Sequence, residues 1–202
     1  MSNDAPKGRT SWKRFGLLAG PAVAAGVTMA ALTAQGAIAS SFAVSSDDFK
    51  VTAESMEGEG FSQVGAIVEG SDGEQHVVAP SAIASAEIVG LCQSALIDTP
   101  LGTYTLVVEA GTDPENPVEA ENLILYIDEL QGNAEFGNIE VGVDAGEVDR
   151  TPGFSGTPGG FAQQSETITI TDAKQNAWFV EAGTFTLNGL HMSIHQGENE
   201  CY

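Results

Sequence analysis

From Phe42 onward, apolar side chains recur at every second position in short runs, and no stretch keeps the 3.6-residue period of an amphipathic helix. Leu123, Leu125 and Ile127 fall on one face of one run; Ile139, Val141 and Val143 fall on one face of another. Gln131-Gly132-Asn133 between them supplies residues that tolerate positive φ, so the pattern predicts a hairpin over 121–143 around which the rest is arranged. Phe49, Val51 and Ala53 predict an earlier strand, and Glu57-Gly58-Glu59-Gly60 a turn leading into the run 61–68. Ser71-Asp72-Gly73 is a further turn, the run 83–91 leads to Cys92, and Tyr104, Leu106 and Val108 mark a half-buried strand. Residues 111–117, with two prolines and an asparagine, form a surface loop. Five glycines and two prolines make 144–160 the longest mobile loop. Ile168 and Ile170, Phe185 and Leu187, and Leu190, Met192 and Ile194 complete the strands.

A faint internal repeat runs through this pattern. The stretch 52–58 (TAESMEG) aligns with 126–132 (YIDELQG), each followed within four residues by Phe61 or Phe136, and 171–176 before Trp178 is a looser third copy. The unequal spacings argue against a regular β-helix. The expected fold is all-β: an antiparallel meander of about 10 to 12 strands forming a sandwich or elongated open barrel, as one β-domain over 40–202.

Residues 1–39 break the pattern. A basic segment is followed by an uncharged run rich in Ala, Gly, Leu and Val that ends in Ala37-Ile38-Ala39, the layout of a secretory signal peptide. The apolar run is also long enough to span a bilayer as an N-terminal helix, and Trp12-Lys13-Arg14-Phe15 is an interfacial anchor. A cleaved signal and a retained signal anchor both fit; either exports the chain, and an uncleaved leader makes the membrane a partner.

Charge then narrows the function. Lys50, Arg150 and Lys174 are the basic residues past residue 39, against 27 of the chain's 28 acids, which leaves that portion at −24. Such a surface repels phosphate backbones and anionic lipid, so nucleic-acid binding is not expected. Divalent cations, basic partners or a salty exterior suit it better, and acids also keep an exported β-protein soluble.

Cys92 and Cys201, an even count with no CxxC, predict one disulfide in an oxidising compartment. His191 and His195 share one side of a strand with Ser193 between them, while Leu190, Met192 and Ile194 face the other way; His76 is the remaining histidine, and solvent-facing strand histidines are expected. Gly153-Phe154-Ser155-Gly156-Thr157 imitates a nucleophile elbow but carries Thr157 at its last position and lies in a loop of a β-protein, so Ser155 is not expected to act as a nucleophile. Acids in 113–116 and 144–149 are candidate calcium ligands that follow no ordered ligand loop. No catalytic, cofactor-binding or metal-ligating residue is assigned, and no cofactor is implied.

Trp12-Lys13-Arg14-Phe15 with Ala19-Gly20-Pro21-Ala22, the junction 39–45 (ASSFAVS), Leu91-Cys92-Gln93-Ser94, Thr99-Pro100-Leu101-Gly102, Ala182-Gly183-Thr184-Phe185 and the terminal Glu200-Cys201 together resemble an uncharacterised actinobacterial family of exported proteins, often labelled "cholesterol esterase". The resemblance covers nearly the full chain and brings no catalytic residue with it. The residues favour an exported, non-enzymatic cell-envelope or surface β-domain whose apolar inner face suits a lipidic ligand. The family label implies the alternative, a lipid or sterol ester hydrolase.

Overall fold

The computed structural model describes residues 48–70 and 73–202. The leader over 1–39, with its expected apolar helix, lies outside them, as do Ser71 and Asp72 of one expected turn. Among the described residues the regular elements are all strands: β1 (Phe49–Val64), β2 (Ala66–Glu69), β3 (Gln75–Val89), β4 (Leu91–Thr99), β5 (Gly102–Ala110), β6 (Val118–Gly137), β7 (Glu140–Asp144), β8 (Phe161–Glu181), β9 (Thr184–Thr186) and β10 (His191–Gln196). All pairings are antiparallel.

Pairing follows the order β10-β5-β4-β1-β3-β6-β8-β7, and β8 also pairs with β1. Strands β1, β3, β6 and β8 therefore close into a hydrogen-bonded ring, which removes the free edges an open sheet would leave there. Strands β4, β5 and β10 extend from the first residues of β1 as a three-stranded flap.

Two expected turns are not turns. Gly132 and Asn133 lie inside β6, and the run containing Val141 and Val143 becomes β7, which pairs with β8 and not with the Leu123 run. Residues 57–60 likewise lie inside β1, which continues to Val64. In both places the alternation breaks phase beside a glycine. A break in one strand is a turn when the chain reverses, but a corner in a continuing sheet when neighbouring strands break phase at the same level.

That is what happens, at two levels across the sheet. At the first, Gly60 (φ 69°) of β1 lies opposite Ala84 of β3, which lies opposite Asn122 (φ 51°) of β6. The core-facing set changes parity there, from Gly58 to Phe61, from Ala86 to Ile83 and from Ala120 to Leu123. At the second, Gly90 (φ 66°), Glu54 and Asp172 (φ 54°) line up, beside the β6 irregularity between Gln131 and Asn133. Parity changes again, from Met56 to Ala53 and from Ile88 to Leu91. Left-handed residues re-aim the side chains, so a long strand can turn a corner and keep facing the same core.

The main core joins Met56, Phe61, Ile83, Leu123, Ile168 and Ile170 inside the ring. A second cluster forms where the loop 144–160 folds back: Ala145 and Val148 pack on Val64 and Ala162. The loop is irregular, as its glycines and prolines predict, but it is packed and not the free excursion expected. Thr151, 3% exposed, explains how: its hydroxyl donates to the Gly60 carbonyl, which the phase break has taken out of the ladder, and lies 3.2 Å from the Ala82 carbonyl.

Candidate functional surfaces

The flap has two unlike faces. On one, the C-terminal tail is tied down: the Thr105 hydroxyl donates to the Gly197 carbonyl (2.6 Å) and accepts from the Asn199 amide (2.9 Å), and the Cys201 amide donates to Ser94 Oγ (3.0 Å). Cys92 and Cys201 are joined in the expected disulfide, which closes a loop of 109 residues. Beside it Lys50 Nζ meets Glu200 at 2.8 Å and lies 5.2 Å from the Tyr202 ring centre. The hydrogen bond to Glu200 raises the Lys50 pKa against a smaller desolvation effect.

The same face carries His191, Ser193 and His195. His191 Nδ1 lies 3.1 Å from Glu109, and His195 Nε2 lies 2.9 Å from Ser193 Oγ. Both histidines are exposed, as expected of solvent-facing strand positions. His76 is far along the chain on β3, where its ring stacks on Trp178 at 3.8 Å. The three histidines therefore have separate neighbours.

The other flap face carries no charge. Register places Met192, Val108 and Gln93 in one row beside Val51, Ile194, Leu106 and Ala95 in the next, and Gln196, Tyr104 and Ile97 in a third. Exposure rises along the first two of these rows away from the ring. Val51 is 7% exposed, whereas Met192 and Ile194 are 61% and 66% exposed. The sequence pattern marks these residues as apolar strand positions and gives no sign that their face is open; only the place of β10 at the end of the sheet order does so.

The acids gather elsewhere. Cross-strand register sets Glu57, Glu87 and Glu119 side by side, flanked by Thr169 and Thr186, and Glu59, Ser85 and Glu121 in the next row between Thr167 and Thr184. These residues line an open cleft of about 680 Å³. Like charges directly opposite on adjacent strands repel, yet the five glutamates are exposed and water and salt screen them. Among the described residues no three acids, histidines or cysteines converge as metal ligands.

Of the acids named as candidate calcium ligands, Asp113 and Asp144 hold their own loops. Asp113 accepts from the Glu115 amide and from Asn116 Nδ2 at 2.8 Å. Asp144 accepts from the amides of Gly146 (2.8 Å) and Gly159 (2.9 Å), closing the 144–160 loop at its neck. Both carboxyls have lowered pKa values, through Asn116 and then the Glu115 amide for Asp113, and through the Gly159 and then the Gly146 amide for Asp144. Ser155 is exposed in that loop, next to the Gly156 amide that donates to the Ala145 carbonyl. Inside the ring, the apolar space between Met56, Ile88, Leu123, Ile170 and Val180 amounts to about 50 Å³.

Comparison with known proteins gives one family. The model of a family of unknown function, DUF6230, matches residues 45–202. No curated protein and no solved structure matches the chain.

Proposed function

The chain belongs to that family of unknown function, and with no activity to inherit we propose that it is a non-enzymatic exported β-domain, working at or outside the membrane, that binds an apolar partner on its surface and not inside its core. The observation that carries this reading is the run of greasy surface out of the closed ring, from buried Val51 across Val108 to exposed Met192. An acyl ligand would need an interior of the roughly 300 to 1,000 Å³ typical of ligand pockets, and the apolar pocket described inside the ring holds about 50 Å³. Export is supported by the leader pattern and by a disulfide, which persists in oxidising compartments. Ester hydrolysis draws no support from Ser155, since His76, His191 and His195 are engaged with Trp178, Glu109 and Ser193.

The purified exported protein should enhance the fluorescence of an apolar dye, and Ile194→Lys should reduce that signal several-fold without moving the melting temperature of the dilute, monomeric protein. It should not turn over a chromogenic ester. Steady hydrolysis that disappears in Ser155→Ala, or a lipid released only on unfolding, would overturn the reading.

A further inference from the structure

We propose that the apolar partner of the flap is a second copy of this chain, added strand to strand along β10. The inference rests on the surface-binding reading above and names its occupant. Strand β10 ends the sheet order, so among the described residues no strand lies beside the backbone donors and acceptors on its outer side. Native sheets blunt such edges with charge, proline or a bulge. The other terminal strand, β7, has all but the proline: Glu140, Asp144 and a register shift at Gly142. β10 reads His-Met-Ser-Ile-His-Gln, with no acid, no proline and an unbroken register against β5.

Charge selects the kind of partner. In a chain with 28 acids, the nine flap positions of those three rows, from Gln93 to Gln196, include none. A second copy would meet repulsion almost anywhere else on this molecule, and least here. A lipid surface suits the apolar side chains but not the edge, because unpaired strand backbone is not tolerated in hydrocarbon. Another strand satisfies both.

The sequence of β10 is also self-complementary. In an antiparallel pair centred on Ser193, Met192 of one copy faces Ile194 of the other, twice, and the apolar face continues across the junction. The opposite face sets His191 of each copy against His195 of the other, with Glu109 already 3.1 Å from His191. An isologous contact of this kind closes at two copies, and strand addition supplies affinity through the backbone while the side chains set the register.

Sedimentation of the full exported chain should show a concentration-dependent monomer–dimer equilibrium, and Ile194→Lys should raise the dissociation constant at least tenfold. Register is tested by cysteine variants. Met192→Cys mixed with Ile194→Cys should give cross-linked dimer under mild oxidation, and either variant alone several-fold less. Circular dichroism and an intact Cys92–Cys201 bond check that the variants fold. A wild-type chain that stays monomeric to millimolar concentration, or a dimer indifferent to Ile194→Lys and lacking the mixed cross-link, would overturn the proposal. If the monomer still binds dye in an Ile194-dependent way, only the second copy is lost; if it binds no dye, the surface reading fails with it.

Discussion

Thr151 carries more of the architecture than its place in a Gly/Pro-rich loop would suggest. Its hydroxyl donates to the Gly60 carbonyl, an acceptor stranded by the phase break in β1, and Ser62 Oγ lies 3.3 Å away. Removing a hydroxyl while its buried acceptor remains costs the desolvation of that acceptor, about 1 to 3 kcal/mol. Thr151→Val keeps the shape and removes the donor, so it should lower the melting temperature by roughly 2 to 4 °C for each kcal/mol lost in a domain of this size. Calorimetry checks this, and an unchanged melting point would mean that water replaces the hydroxyl. Nothing in the sequence separates Thr151 from the other loop threonines, because its partner is 91 positions away. The hydrogen bonds of the loop acids are equally hidden in the sequence. Asp113 and Asp144 look like ligands in the sequence, but their nearest donors are the amides of the turns they sit in, which is the commonest use of Asp in a turn.

At the scale of the strand, period-two alternation was the reliable signal and its interruptions were the misleading ones. The runs Tyr104–Leu106–Val108 and Met192–Ile194 became β5 and β10 as expected, and Leu123–Leu125–Ile127 became the middle of β6. Gly58-Glu59-Gly60 and Gly132-Asn133 predict turns because a phase break beside glycine is compatible with either a reversal or an irregularity inside a continuing strand. Only pairing decides, and pairing is not written in one strand. Here Gly60, Ala84 and Asn122 break at one level, so the sheet turns its corner as a unit. Gly60 is tightly specified: a Cβ there would sit 2.5 Å from the Arg150 carbonyl oxygen and 2.9 Å from Ala84 Cβ, at φ 69°. Gly60→Ala should cost more than the ~1 kcal/mol of an unfavourable backbone region alone. Gly153→Ala separates the two effects, since its φ is 80° but nothing lies within 4 Å of its Cβ. Chemical denaturation should rank Gly60→Ala clearly below Gly153→Ala; equal losses would show that the corner relaxes around the methyl group.

At the scale of the whole molecule, a chain this acidic must hold together against its own charge, and the glutamate rows beside β9 concentrate that repulsion on one face. The opposing constraint is covalent. Cross-linking positions 109 apart removes about 4 to 5 kcal/mol of unfolded-chain entropy in the loop-closure account, comparable to a large part of a domain's net stability. This part of the design was legible from two cysteines alone; the tail they secure was not, because its contacts run through Thr105, Ser94 and Lys50 on strands far away in sequence. Cys92→Ser with Cys201→Ser should lower the denaturation midpoint and, by hydrogen exchange, expose the Asn199 and Cys201 amides before those of Ile83 or Leu123. The order follows from topology: the tail is held by a few hydrogen bonds at the rim of the flap, whereas the ring closes on its own core. Because the tail begins where β10 ends, its release should also loosen the edge on which a second copy would pair. Loss of protection at all four sites together would instead mean that the bond supports the ring itself.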